Sequence, residues 1–156
     1  MGSALDTIFN SYASGSIFKN KSVLQINYTP DTIPHRTQQI ESVASILAPA
    51  LKGERVSNLF IFGKTGSGKT LSVQYVTKEI LKRVTDAGGD NLKVVYINCK
   101  LKKVADTEYR ILAEIISSLG ESVPATGLPT DAVYSKFIEI IERKKQLILI
   151  VMDEID

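Results

Sequence analysis

The 156 residues suffice for one domain, and 19 Lys and Arg against 17 Asp and Glu leave a net charge of +2, a balance that by itself argues neither for nor against a polyanionic partner. One cysteine, Cys99, excludes an intramolecular disulfide, and with one histidine it leaves no soft-metal cluster. The apolar runs fall short of the roughly 18–20 residues a bilayer span needs, and MGSALD lacks a signal-peptide core.

Residues 1–34 read as an N-terminal arm: Pro30 and Pro34 hold their preceding residues extended, and no helical pattern is expected there. From about Arg36 to Leu51, Ile40, Val43, Leu47 and Leu51 recur at spacings of three and four, one face of a helix that Gly53 closes. Asn58–Phe62 reads as a short apolar strand. A second helix carries Val73, Val76, Ile80, Leu81 and Val84 inward and breaks at Gly88-Gly89. Leu92–Asn98 is a strand rich in Val and Ile. Asp106 or Thr107 caps a helix whose buried face is Ile111, Leu112, Ile115, Ile116 and Leu119. Thr130 or Asp131 opens another, with Val133, Tyr134, Phe137, Ile138 and Ile141 inward. Leu147–Met152 is the last strand. Strands alternating with helices imply a parallel sheet covered on both faces.

Between the first strand and its helix stands GKTGSGKT, Gly63 to Thr70, which fits G-x-x-x-x-G-K-[ST]. A loop that wraps a phosphate must turn its N–H groups inward, which demands φ values glycine adopts cheaply and an approach no side chain obstructs. The following helix aims its unpaired N–H groups and its dipole at the same anion. Lys69 adds a charge for the β- and γ-phosphates, and Thr70 offers a hydroxyl to Mg²⁺. Gly63, Lys64, Thr65, Gly66, Ser67, Gly68, Lys69, Thr70 and Leu71 are the expected phosphate-binding residues for ATP or ADP.

The last apolar strand delivers Asp153 and Glu154 to its tip. In P-loop NTPases an aspartate so placed orients the Mg²⁺ shell, and a following glutamate can act as general base on the attacking water. Adjacent carboxylates repel, so both stay ionised most readily beside a cation. The expected catalytic residues are Lys69, Asp153 and Glu154, and the expected metal ligands Thr70 and Asp153.

The stretch YTPDTIPHRTQQIESVASILAPALKGERVSNLFIFGKTGSGKT resembles the opening of archaeal DNA replication initiators of the origin-recognition/Cdc type, which are AAA+ ATPases. VVYINCK, TEYRILAEIISSLGESVPATGLPTDAVY and LILIVMDEID extend the likeness over about residues 17–156. It implies an α/β, three-layer αβα P-loop NTPase of AAA+ type with a parallel sheet, incomplete in this chain. Residues 35–156 would be the N-terminal portion of that ATPase domain, with the helical lid and winged-helix domains lying further on. The implied strand order, 5-1-4-3-2, sets Leu147–Met152 beside Leu92–Asn98 and separates both from Asn58–Phe62 by a strand not in this chain.

The resemblance further implies that the arm near Tyr28 and Pro30, with Pro34, His35 and Arg36, lies over the adenine. It implies contact with double-stranded origin DNA around Thr126, Gly127 and Leu128, although Pro124, Gly127 and Pro129 read alone make an ordinary connector. Lys100/Lys102/Lys103 and Arg143/Lys144/Lys145 are basic clusters that suit phosphates, the second reading more simply as a solvated helix end. A replicative helicase or other initiator subunits are the implied partners. No membrane is involved, and the location is cytoplasmic and nucleoid-associated. Cys99 reads as a small apolar filler. A small-molecule kinase and a nucleotide-holding module without catalysis are the competing readings.

Overall fold

In the computed structural model the described residues are 5, 8–10, 20–24, 28, 30, 32–100, 108–124 and 127–155. The chain divides into two units, Met1–Thr32 and Ile33–Asp156. In the first unit, residues 5 and 8–10 are helical, a correction to the expectation of an arm without helix. Leu5, Ile8 and Phe9 stand three and four apart, the spacing of one helical stripe, and all three are exposed. A 3₁₀ turn, Ser22–Leu24, follows, with Asn20 accepting hydrogen bonds from the Ser22 amide and hydroxyl.

The second unit opens with helix α1, Thr37–Leu47, which passes directly into a 3₁₀ turn, Ala48–Lys52. The continuous helix expected to Leu51 tightens there because Pro49 has no N–H for the α-helical ladder. Gly53, at φ 72°, ends the turn as expected. Helix α2, Lys69–Asp86, buries Val76, Thr77, Ile80 and Val84, while Leu81, expected inward, is exposed. The Gly88 and Gly89 amides donate to the carbonyls of Thr85 and Val84, so the paired glycines close its C-terminus.

Strand β1, Leu92–Asn98, pairs in parallel with β2, Leu147–Asp153, in a two-stranded sheet. Leu92 stands opposite Leu147, Tyr96 opposite Val151 and Asn98 opposite Asp153. Between them lie α3, Glu108–Ser118, and α4, Thr130–Lys144. Asp106 and Thr107 fall outside the described residues. On α4 the buried positions are Val133 and Ile140 with Phe137 partly covered, whereas Tyr134 is 55% exposed. Val133 and Phe137 face inward as expected and Ile138 and Ile141 are partly buried, whereas packing against α3 adds Ile140 and leaves Tyr134 outside.

Strand alternation gives the sheet two dressed faces. Val95, Ile97 and Cys99 point to α3 and α4, meeting Ile115, Ile116, Leu119, Val133 and Ile140. Leu92, with Leu147 and Leu149, points to α1 and α2, meeting Val43, Leu47, Val76, Ile80 and Val84. Helices on both faces of a parallel sheet give the αβα layering that was expected. Cys99 is 3% exposed within the first cluster, the filler it was read to be.

Asn58–Phe62 is not a strand: among the described residues it has no ladder partner. Ile61 packs on the α1–α2 cluster, but Phe60 and Phe62 are 71% and 82% exposed, their rings stacked with centroids 6.1 Å apart. Apolar composition makes a segment suited to a sheet; hydrogen-bonded neighbours make it a strand.

Candidate functional site

The GKTGSGKT loop joins Phe62 to α2 through a turn closed by the Ser67 amide on the Lys64 carbonyl, 3.2 Å. Gly66 and Gly68 take φ values of 76° and 78°. Both are left-handed positions where an L side chain costs roughly 1–2 kcal/mol. Gly68 is the N-cap of α2 and no side chain caps it, so the first amides of the helix, from Lys69 through Leu71, stay open towards the loop. That is the arrangement that takes a phosphate. Lys69 Nζ donates to the carbonyls of Gly63, at 2.8 Å, and Lys64, at 3.2 Å. The ammonium is thereby folded back over the loop.

Thr70, one residue into α2, meets the tip of β2. Its hydroxyl lies 3.1 and 3.0 Å from the two carboxylate oxygens of Asp153. The sheet's alternation explains this: Asp153 shares parity with Leu147 and Leu149, whose side chains pack against α1 and α2. Asp153 is further held by the Tyr96 hydroxyl, which donates to Oδ2, and by the Glu154 amide, which donates to Oδ1 at 3.1 Å. Burial, then the hydrogen bond to Asp153, then the charge of that carboxylate all push the Tyr96 phenol well above its usual ionisation range, and hydrogen bonding with Gln74 and Thr70 offsets only part of this.

Glu154 follows at φ 56°, and its carboxylate is paired with Lys100 Nζ at 3.1 Å. Arg36, just before α1, reaches the loop: a Cβ placed on Gly68 would stand 3.6 Å from its Nε. Pro34 and His35 form the turn that leads into it, His35 at φ 60°. A left-handed non-glycine residue of this kind is uncommon and clusters at functional sites.

The donors suit Mg²⁺. Thr70 and Asp153 offer oxygen only, and among the described residues no group of three or more His, Cys, Asp or Glu converges to cage a metal. A hard cation that keeps its waters and shares phosphate oxygens needs no more than this from the protein.

The loop, Lys69, Thr70 and Asp153 are thus brought together as the sequence implied. The residues expected to contact DNA are not part of the cluster. Thr126 lies outside the described residues, as do Lys102 and Lys103, while Gly127 and Leu128 are exposed. Arg143 is paired with Glu121, and Lys144 donates to the Leu119 carbonyl at 2.7 Å, so that cluster fastens α4 to the end of α3. Tyr96 and Lys100 escaped the sequence reading as partners of the two acids. Only the β1–β2 register, Asn98 opposite Asp153, reveals that Tyr96 sits diagonally across from the aspartate.

Comparison with known proteins gives this geometry a family. The AAA domain matches residues 53–156. The chain belongs to the AAA domain family. Within that family it is 46% identical over 157 residues to the ORC1-type DNA replication protein of Thermococcus onnurineus, covering 97% of this chain and 37% of that protein. With ORC1-type DNA replication protein 1 of Methanosarcina mazei it shares 51% over 154 residues, 98% of this chain and 36% of the relative. The chain therefore spans little more than a third of the length of these curated relatives. Among solved structures, the Aeropyrum pernix ORC1 protein in complex with DNA aligns at TM-score 0.79 and 34% identity over 87% of this chain and 35% of that one. Cdc6p from Pyrobaculum aerophilum shares the fold at TM-score 0.70 and 24% identity, over 87% of this chain and 34% of its own. The resemblance to archaeal origin-recognition/Cdc initiators thus holds for this AAA domain. No helix among its described residues is long and apolar enough to cross a membrane.

Proposed function

We propose that this chain is the nucleotide-binding portion of an ATP-driven DNA replication initiator. ATP or ADP lies with its phosphates on the amides of 63–71. Thr70 and Asp153 would hold Mg²⁺, which would supply charge neutralisation at the phosphates. Lys69 exchanges its loop carbonyls for the terminal phosphates, a stronger, charge-assisted pairing. Pro34, His35 and Arg36 border the base, and Glu154 accepts a proton from the attacking water once free of Lys100. The whole protein binds double-stranded origin DNA and supports helicase loading with other initiator subunits, at the nucleoid. The single observation that carries the reading is the convergence of Thr70 on Asp153 beside the loop, in a chain whose relatives are named as ORC1-type replication proteins.

One feature favours a second reading, a module that holds nucleotide without turning it over: Glu154 is engaged by Lys100. ATP turnover by the full-length protein separates the two. Glu154→Gln should retain ATP and lose turnover by about 10²-fold or more, the usual worth of a general base. Unchanged turnover removes the base role, and no turnover without the substitution leaves the module. Retention of duplex origin DNA by the same protein, absent from a random duplex of equal length, tests the initiator assignment.

A further inference from the structure

We infer that Tyr96 is a positioning residue for Asp153, its hydroxyl fixing the direction in which the carboxylate presents its oxygens to the magnesium–nucleotide pair. The inference rests on the nucleotide reading above. Tyr96 stands opposite Val151, two residues before Asp153 on the same face of the sheet. That diagonal is within reach of an aromatic side chain and beyond a short one. The other β1 residues of this parity below it, Leu92 and Val94, are apolar. A phenylalanine at position 96 would complete that row equally well, so packing alone gives no reason for a hydroxyl.

The hydroxyl lies within hydrogen-bonding reach of Gln74 and Thr70 as well, but the bond its geometry shows is to Asp153. It donates to Oδ2 of Asp153, while the Glu154 amide donates to Oδ1 at 3.1 Å and the Cys99 amide ties down the Asp153 carbonyl at 2.9 Å. Carboxylate and backbone are thereby both fixed, and Thr70 approaches the carboxylate from α2. Partners one bond removed from a metal ligand set its orientation and tune affinity. Tyr96 fills that place here, acting through Asp153 and touching neither nucleotide nor cation itself.

The test uses the full-length protein and a fluorescent ADP analogue, titrated with Mg²⁺ and, separately, measured in EDTA. Tyr96→Phe should raise the half-saturating Mg²⁺ about tenfold and leave affinity in EDTA within about twofold. A merely structural role would weaken both together. On an Asp153→Asn background the same change should add nothing. An unchanged or lowered Mg²⁺ requirement, or an equal rise on the Asp153→Asn background, overturns the inference. In the unsubstituted protein, the ζ-carbon resonance of ¹³C-labelled Tyr96 should move when Mg²⁺ is added to the ADP complex, and a fixed resonance counts against it even if the phenylalanine variant does not fold. Failure of the unsubstituted protein to bind the analogue in either condition removes the nucleotide reading itself, and this one with it.

Discussion

Thr70, in the first turn of α2, and Asp153, the last residue of β2, are 83 positions apart in sequence and within 3.1 Å in space. On the proposed function, a hydroxyl and a carboxylate that meet beside an uncapped helix N-terminus would be the protein's share of a magnesium site, with phosphate oxygens and water completing it. In the free protein the same pair is a hydrogen bond to a charged acceptor. Thr70→Ala should therefore lower the stability of the ligand-free protein by about 1.5 kcal/mol, read from denaturant midpoints at constant m. It should also abolish any tightening of nucleotide by Mg²⁺.

The α3–α4 cluster is the better-filled half of the core. Ile116, fully buried, touches neither loop nor carboxylates. Ile116→Ala should cost about 2–5 kcal/mol of stability with nucleotide affinity per folded molecule unchanged. A loss under about 1 kcal/mol in chemical denaturation would show that this side of the sheet is loosely packed.

Tyr96 gives a pH signature. Its folded ionisation is raised above the unfolded one, so its contribution to stability is full below the unfolded value, near pH 10, and is lost as pH climbs through the folded one. Stability should fall on the alkaline side, and less steeply in Tyr96→Phe. Spectroscopic titration of phenolate should lose its latest-ionising component in that variant. Identical alkaline profiles would contradict the raised ionisation of this phenol, which burial first and Asp153 second impose.

The motif residues were legible because their chemistry leaves little choice. A left-handed turn at Gly66 and Gly68 followed by Lys69 and Thr70 at a helix start is written in residue types alone, and the strand that offers Asp153 is written in six apolar residues. Helix positions followed from periodicity. What the sequence left open is what depends on neighbours. Tyr134 and Phe137 are equivalent until α3 selects a face, and Asn58–Phe62 has strand composition without ladder partners among the described residues. The approach of Tyr96 to Asp153 depends on the β1–β2 register, a relation between two segments that neither contains. Pro49 is a different case: periodicity alone carried the helix on to Leu51, and the missing N–H of that proline, which the apolar stripe does not register, tightens Ala48–Lys52 into a 3₁₀ turn.

The central claim is that the loop and β2 act on one ligand, and Lys69→Ala tests it most directly. Calorimetric titration of ATP into the full-length protein, with Mg²⁺ and with EDTA, should show saturable binding that Mg²⁺ strengthens. The alanine variant should bind about 100-fold more weakly or not at all, with its melting transition intact, as befits loss of a desolvated charge pairing. Binding of equal strength in the variant, or no heat from either protein, would contradict a phosphate site at Gly63–Thr70.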